Sequence, residues 1–308
     1  MAHMETPPTM SRPAVIVLSS FVARGSVGAR AAFALERLGH RVWTLPTVIL
    51  PWHPGHGRAH RMVLPEDDFA ALCADLARAP WLSEVGGIIT GYLGSPGQAD
   101  AAANLVAAVR AANPEALHLA DPVIGDMTTG GTGGLYVPEP VAIAQRDRLI
   151  AIADIATPNR FELGWLTGRP VETLTEIAVA ARALGPKRVV VTSAPALMTG
   201  KIAAALVTAG EAIVAENQMI EGAPNGTGDL FAALFLSRLI GGASEEAALA
   251  AASASTFEII ARSVKAGGRE LELVDQQEAL VRPMAMVDIR RLATPRRPVA
   301  RPSGIETL

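Results

Sequence analysis

The sequence predicts a doubly wound α/β fold, in which a mostly parallel central sheet carries helices on both faces. Short, nearly continuous apolar runs recur along the first two thirds of the chain, as is typical of parallel strands buried on both faces. Longer, alanine-rich amphipathic runs separate them, and such alternation of strands and helices favours a parallel sheet. With 50% hydrophobic residues in 308, the chain has enough apolar material for a large core.

The predicted elements follow in chain order. Strands are predicted at residues 14–19, 41–45, 87–90, 117–120, 152–156 and 188–192, and helices at 27–38, 66–79, 96–112, 139–150, 160–166 and 173–184. Residues 202–208 and 211–217 flank Ala209-Gly210 and predict an antiparallel hairpin at one edge of the sheet. Two long helices follow at 227–240 and 245–262, and the first is apolar on almost all sides, which indicates burial.

One domain is expected over residues 14–292, between a flexible N-terminus at 1–13 and a Pro/Arg-rich tail at 293–308. The net charge of -3 and the absence of a basic stripe argue against nucleic acid as a partner. The single cysteine, Cys73, excludes an internal disulfide and favours a reducing compartment. No apolar run is long enough for a signal peptide or a membrane span, so a cytoplasmic protein is expected.

A glycine-rich segment before the first long helix is the strongest candidate for a phosphate site. Neither the P-loop pattern nor the dinucleotide-binding pattern occurs. Gly226-Thr227-Gly228-Asp229 instead opens the helix, where free N–H groups and the helix dipole bind anions. Asp229 is placed to accept a proton from an attacking hydroxyl group. The same residues are also compatible with a glycine turn followed by an acid that stabilises the first helical turn.

Three histidines, His53, His56 and His60, lie close together in a loop rich in Pro and Gly. No acid or thiol accompanies them, and zinc sites usually need four well-placed ligands. We therefore expect no metal site in this loop, and His56 and His60 to be solvated.

The glycine-rich segment, followed by an apolar helix, resembles the anion hole and catalytic base of ribokinase-like kinases. The continuation at 230–236 resembles the version found in pyridoxal kinases. Further segments similar to that family follow in the expected order at 19–28, 46–57, 90–95, 121–126 and 157–163. The resemblance extends from residue 14 to about residue 290.

The resemblance implies ATP-dependent phosphorylation of the 5′-hydroxymethyl group of pyridoxal, with pyridoxine and pyridoxamine as further candidate substrates. It also implies Mg²⁺, a monovalent cation such as K⁺, a homodimer, and a flap over ATP near residues 127–135. The residues carried over are Asp229, Gly226, Thr227 and Gly228 for catalysis, Ser20, Thr47, His53 and Tyr92 for substrate, Asn159, Thr192 and Ser193 for nucleotide, and Asp121 and Glu162 for metal.

Three positions depart from the family pattern. Phe21 stands where many relatives have histidine or glutamine, which removes a possible hydrogen bond to the substrate ring. Ala29 and Asn225 are also unusual. Two alternatives therefore stay open: a kinase of the same fold acting on another hydroxymethyl heterocycle, such as hydroxymethylpyrimidine, and a non-catalytic protein that binds pyridoxal or its phosphate.

Overall fold

The structure is a computed structural model that describes residues 12–26, 28, 32–127 and 133–292. The strands are β1 (Arg12–Arg24), β2 (His40–Trp52), β3 (Met62–Val63), β4 (Val85–Thr90), β5 (Leu117–Ala120), β6 (Gly125–Met127), β7 (Gly133–Leu135), β8 (Ile155–Ala156), β9 (Arg188–Pro195), β10 (Lys201–Val207), β11 (Ala212–Gln218) and β12 (Asp288–Arg291). The helices are α1 (Ala32–Arg37), α2 (Glu66–Ala77), α3 (Pro96–Ala112), α4 (Glu139–Ala144), α5 (Arg160–Thr167), α6 (Leu174–Leu184), α7 (Thr227–Ile240), α8 (Glu245–Lys265) and α9 (Gln277–Val281).

A ten-stranded sheet runs through the molecule in the order β12-β11-β10-β9-β8-β5-β4-β1-β2-β3. The six strands from β9 to β2 are parallel, and antiparallel strands extend the sheet on both sides. Helices α1, α7, α8 and α9 pack on one face, and α2 to α6 pack on the other. This architecture confirms the predicted doubly wound, mostly parallel fold.

Strand β1 shows why the apolar runs are continuous. Ile16 and Leu18 face the layer that contains α2 and α3, whereas Val15 and Val17 face the layer that contains α7 and α8. Successive side chains of a strand point to opposite faces, so a strand covered on both sides needs apolar residues at every position.

The chain leaves β1 for β2 on one side and later returns to β4 on the other side. This reversal of strand order lies between β1 and β4. Ligands of open α/β sheets bind outside the carboxyl ends of the strands at such a reversal. The fold therefore directs the search for a site to the ends of β1 and β4.

Several predicted elements differ from the structure. The 202–217 hairpin forms as β10 and β11, but β12 pairs outside it, so the hairpin does not form the sheet edge. The strand predicted at 152–156 is only β8, and the helix predicted at 139–150 is α4 continued by irregular helical turns. Residues 1–11, 27, 29–31, 128–132 of the predicted flap and 293–308 lie outside the described residues, whereas Arg12 and Pro13 of the predicted flexible N-terminus belong to β1.

No helix of the described residues combines the length and the apolar character that crossing a membrane requires.

Candidate active site

A cavity of about 840 Å³ opens at the carboxyl ends of the parallel strands. Its size lies within the range of roughly 300–1,000 Å³ that is typical of ligand sites. All predicted site residues except Thr47 line it: Ser20, His53, Tyr92, Asp121, Asn159, Glu162, Thr192, Ser193, Gly226, Thr227, Gly228 and Asp229. The structure thus brings together residues that are more than 200 positions apart in the chain.

The N-terminus of α7 forms one wall of the cavity. Gly226 has a φ of 90°, a left-handed conformation that glycine adopts without strain, and α7 begins at the next residue. A Cβ added at Gly228 would meet nothing within 4 Å, so the backbone is open on that side. In the part of the chain that the structure describes, the N-cap position supplies no side-chain hydrogen bond to these first N–H groups, and the Asp229 N–H bonds the Asp229 carboxylate. The N–H groups of Thr227 and Gly228 are therefore available as donors to an anion in the cavity.

Asp229 lies in the first turn of α7, with its carboxylate held by the backbone N–H of Gly28. Gly28 has a φ of 62°, and a Cβ there would lie 2.3 Å from the carbonyl oxygen of Ser20. Only glycine fits this close approach. Burial raises the pKa of Asp229 to about 6, against the opposing effect of the Gly28 hydrogen bond. A carboxylate with this pKa is ionised at neutral pH yet basic enough to take a proton from an alcohol.

Asp121 follows the end of β5 and is only 5% exposed. The Thr157 hydroxyl donates to Oδ1 of Asp121 at 2.9 Å, and no hydrogen bond to its second oxygen occurs among the described residues. Burial, followed by the negative charges of Asp229 and Glu162, holds the pKa of Asp121 well above its usual range. The cavity thus concentrates negative charge that a bound cation would stabilise.

Glu162 and Asn159 join the start of α5 to the segment after β5. They form a capping box, in which the Asn159 N–H donates to Glu162 Oε2 and the Glu162 N–H donates to Asn159 Oδ1, each at 2.9 Å. The Ile124 N–H also donates to Glu162 Oε1 at 2.8 Å. Burial raises the pKa of Glu162 to about 7, although these N–H donors oppose the rise. Since backbone donors occupy both oxygens, Glu162 is suited to reach a cation through water.

Among the described residues, two non-glycine residues have a positive φ, Val123 (44°) and Ser193 (53°), and both line the cavity. Ser193 and Thr192 lie where the pairing of β9 with β10 shifts register. Such irregularities often occur next to functional sites, where they redirect side chains.

A further part of the cavity wall is formed by Ser20, His53, Tyr92 and Arg61. The Tyr92 backbone is fixed on both sides: its N–H donates to Ser19 Oγ at 3.2 Å, and its carbonyl accepts from Thr47 Oγ1 at 2.6 Å. Burial lowers the pKa of His53, which keeps its ring neutral at neutral pH. An aromatic ring, a neutral imidazole and a hydroxyl group suit an aromatic heterocycle with polar substituents.

Thr47 and Phe21 lie outside the cavity wall. Thr47 is fully buried, and its hydroxyl bonds to the Tyr92 carbonyl, so it supports the wall from behind. Phe21 pairs with Ile49 of β2 and with Gly28. Phe21 does not line the cavity, so it has no direct contact by which it could affect the substrate ring. Val22 lines the cavity instead.

A cluster of four residues, Ser26, His56, Asn225 and Glu270, connects the loop after β2 to the rest of the site. His56 Nε2 lies 2.7 Å from Glu270 Oε1, and Glu270 Oε2 accepts from the Ser26 N–H at 3.2 Å. The Ser26 hydroxyl lies 3.4 Å from the Asn225 carbonyl oxygen. We call these contacts the Glu270 latch. The prediction that His56 is solvated is wrong, because its ring is largely buried against Glu270.

The described residues contain no group of three or more His, Cys, Asp or Glu side chains arranged to hold a metal ion by themselves. Mg²⁺ does not need such a group, because it commonly binds one or two carboxylates, several waters and the phosphates of a nucleotide. The partly unsatisfied Asp121 and the nearby Glu162 fit that mode.

Some lining residues were missed in the sequence. Thr157 belongs to the 157–163 segment that resembles the family. Its hydrogen bond to Asp121 follows from the pairing of β5 with β8. Arg61 lies in an irregular loop, where no pattern in the sequence distinguished it from Arg58.

Comparison with known proteins identifies the family of this chain. Residues 84–273 match the family model described as phosphomethylpyrimidine kinase. A pyridoxal kinase of Corynebacterium diphtheriae is 33% identical over 285 residues, which cover 91% of this chain and 99% of that protein. A pyridoxal kinase of Rubrobacter xylanophilus is 35% identical over 286 residues, which cover 91% of this chain and 97% of that protein.

Solved structures show the same relationship. The pyridoxal kinase of Leishmania donovani, in complex with ADP and pyridoxamine, superposes with a TM-score of 0.82 and 27% sequence identity. The match covers 91% of this chain and 100% of that chain. The fold is thus shared with a known group of enzymes.

Proposed function

Since the chain belongs to the pyridoxal kinase family, we propose that it transfers the γ-phosphoryl group of ATP to the 5′-hydroxymethyl group of pyridoxal. The observation that carries the proposal is the placement of Asp229 beside the open N-terminus of α7 in one cavity with Ser20, His53 and Tyr92. A basic carboxylate, an anion site and a wall for a heterocycle are the parts that this reaction needs.

Asp229 accepts the proton of the substrate hydroxyl as its oxygen attacks the γ-phosphorus. The bond from the γ-phosphorus to the β–γ bridging oxygen breaks, and ADP leaves. The N–H groups of the first α7 turn stabilise the negative charge that develops on the transferred group. The raised pKa of Asp229 serves this step, because an ordinary aspartate would be a weaker base.

We assign the nucleotide end to Asn159, Thr192 and Ser193, and the binding of Mg²⁺ to Asp121 and, through water, Glu162. Mg²⁺ neutralises phosphate charge when it is bound with ATP. The raised pKa values of Asp121 and Glu162, which result chiefly from burial, support this assignment, because a bound cation would stabilise the ionised carboxylates.

The test is the formation of pyridoxal 5′-phosphate from pyridoxal and ATP with Mg²⁺, for wild type, Asp229→Asn and the control Glu221→Gln. Glu221 is an exposed acid outside the cavity. We expect Asp229→Asn to lower kcat by about 10²–10⁴-fold, and the control to match wild type. A wild-type protein that binds pyridoxal without turnover would refute the kinase and leave a binding role.

The family model names phosphomethylpyrimidine kinase, so hydroxymethylpyrimidine is the second candidate substrate. The two substrates differ at the ring, and Tyr92 and His53 form the ring wall. Competition between pyridoxal and hydroxymethylpyrimidine for limiting enzyme, with ATP saturating, decides between them. A higher kcat/KM for the pyrimidine would overturn the assignment to pyridoxal.

We further propose a single kinase domain over residues 14–292, a cytoplasmic location, a homodimer, and activation by a monovalent cation such as K⁺. These proposals rest on the family relationship. Sedimentation of the purified chain tests the dimer, and turnover in K⁺ against a large organic cation at equal ionic strength tests the activation.

A further inference from the structure

The cavity has an uneven distribution of charge. Four acids line it, namely Asp121, Asp126, Glu162 and Asp229. Within the described part of the chain, Arg61 is the only lysine or arginine in the wall, and it lies with Tyr92 at the end that we assign to the substrate ring. Within the described residues, the hydrogen bond and the ring contact of Arg61 are both with Tyr92, which is not a residue that we assign to the nucleotide.

Arg61 is held in position by Tyr92. Its Nη2 donates to the Tyr92 hydroxyl at 3.1 Å, and its guanidinium carbon lies 5.7 Å from the centroid of the Tyr92 ring. The backbone of Tyr92 is in turn fixed by Ser19 and Thr47. The guanidinium group thus rests on a rigid support, and little ordering is needed when a ligand arrives.

Most of the donors of Arg61 remain available. Among the described residues it forms no ion pair, and its one hydrogen bond is the bond to Tyr92. A guanidinium group carries five N–H donors and stays charged at any physiological pH. A ligand in the cavity therefore meets a positive charge that no carboxylate of the described residues neutralises by direct contact.

We propose that Arg61 is a specificity-determining residue that selects the substituent at position 4 of the substrate ring. This inference rests on the proposed function and adds to it. The three B6 vitamers differ only at position 4, which carries an aldehyde in pyridoxal, a hydroxymethyl group in pyridoxine and an aminomethyl group in pyridoxamine. An alkyl amine is protonated at neutral pH, as a lysine side chain is.

Arg61 favours an aldehyde or a hydroxyl group, because both accept a hydrogen bond, and it repels an ammonium group. His53 does not offset this preference, since its ring is neutral at neutral pH. Two unit charges a few ångströms apart at a protein surface interact strongly enough to change binding by roughly tenfold or more. The enzyme should therefore prefer pyridoxal and pyridoxine to pyridoxamine.

The experiment compares wild type with Arg61→Gln, Arg61→Lys and the matched control Arg58→Gln. Arg58 is an exposed arginine of the same loop that does not line the cavity. For each protein, kcat/KM is measured with pyridoxal and with pyridoxamine, and the Kd of each vitamer is measured by calorimetry without ATP. We expect Arg61→Gln to reduce the preference for pyridoxal about tenfold, Arg61→Lys to keep most of it, and Arg58→Gln to match wild type.

The proposal would be overturned if the preference of Arg61→Gln for pyridoxal over pyridoxamine lay within twofold of the wild-type preference. It would also be overturned if the wild type bound both vitamers equally. An equal change in Arg58→Gln would overturn it too, because the effect would then come from net charge and not from contact. Absence of turnover with any vitamer would refute the kinase function alone, since the ratio of the Kd values still decides the role of Arg61.

Discussion

Replacing Asp229 with asparagine should make the protein more stable while it removes the catalytic base. Burial raises the pKa of Asp229 from its ordinary value of 3.8 to about 6. The folded state therefore disfavours the ionised carboxylate. A difference of this size corresponds to about 3 kcal/mol between the two protonation states. This figure is an upper value, because Asp229 is partly exposed to the cavity.

The size of this stability difference depends on pH. Below pH 3.8 the carboxyl is protonated in the folded and the unfolded chain, so burial of charge costs nothing. As pH rises from 3.8 towards 6, the unfolded chain ionises first and the folded state loses stability. Above about pH 6 the carboxyl is ionised in both states, so the stability of the folded state falls no further. Asparagine has the same shape and no charge, so its advantage should reach up to about 3 kcal/mol at pH 8 and vanish near pH 4.

The assay is equilibrium unfolding in urea at pH 8 and near pH 4 without ligands, with reversibility checked at each pH. Glu221→Gln serves as the control, since it removes an exposed acid. Equal stability of Asp229→Asn and wild type at pH 8 would refute the argument that the carboxylate is held in an unfavourable environment. An equal gain at both pH values would show that the substitution acts through packing and not through charge.

Three further perturbations test other parts of the site. Glu270→Gln weakens the latch to His56 and should raise KM for pyridoxal several-fold with kcat within twofold; an unchanged KM in steady-state assays would show that the latch does not position the loop. Gly125→Ala places a Cβ 2.3 Å from the Phe161 ring, so it should displace β6, raise KM for ATP and cost about 1–3 kcal/mol in unfolding free energy; an unaltered melting curve would contradict the close contact. Ser193→Gly relieves a φ of 53°, which is worth about 1–2 kcal/mol, but the greater freedom of glycine in the unfolded chain costs about 0.5–1 kcal/mol. We expect a net gain of up to about 1.5 kcal/mol and a raised KM for ATP; a loss of more than about 1 kcal/mol in urea would show that the conformation is not strained.

The sequence predicts the parallel strands and the long helices well, because burial on two faces or on one stripe leaves a strong periodic pattern. Helix α3 and strand β5 have the predicted bounds for this reason. Strand β8 contains only two residues, and β12 is a short exposed strand, so neither carries a pattern that distinguishes it from a loop.

The residues of the candidate site likewise include some that the sequence could predict and some that it could not. Asp229 could be predicted because it lies in a local motif at a helix start, where neighbours in sequence are also neighbours in space, whereas Glu162 was predicted through the family resemblance. The role of Thr47 behind the wall, the burial of His56 against Glu270, and the place of Arg61 depend on contacts between distant segments. Single-sequence patterns do not encode such contacts.

The Glu270 latch has a consequence for how the protein is made. His56 is synthesised early, and its partner Glu270 is synthesised more than 200 residues later. During synthesis, the loop that bears His53 and His56 cannot form its contact with Glu270 until almost the whole chain has been made. A growing chain can assemble the parallel sheet and still lack a finished substrate pocket. An unfinished kinase therefore has no complete pocket in which to hold a vitamer, and pocket formation coincides with completion of the fold.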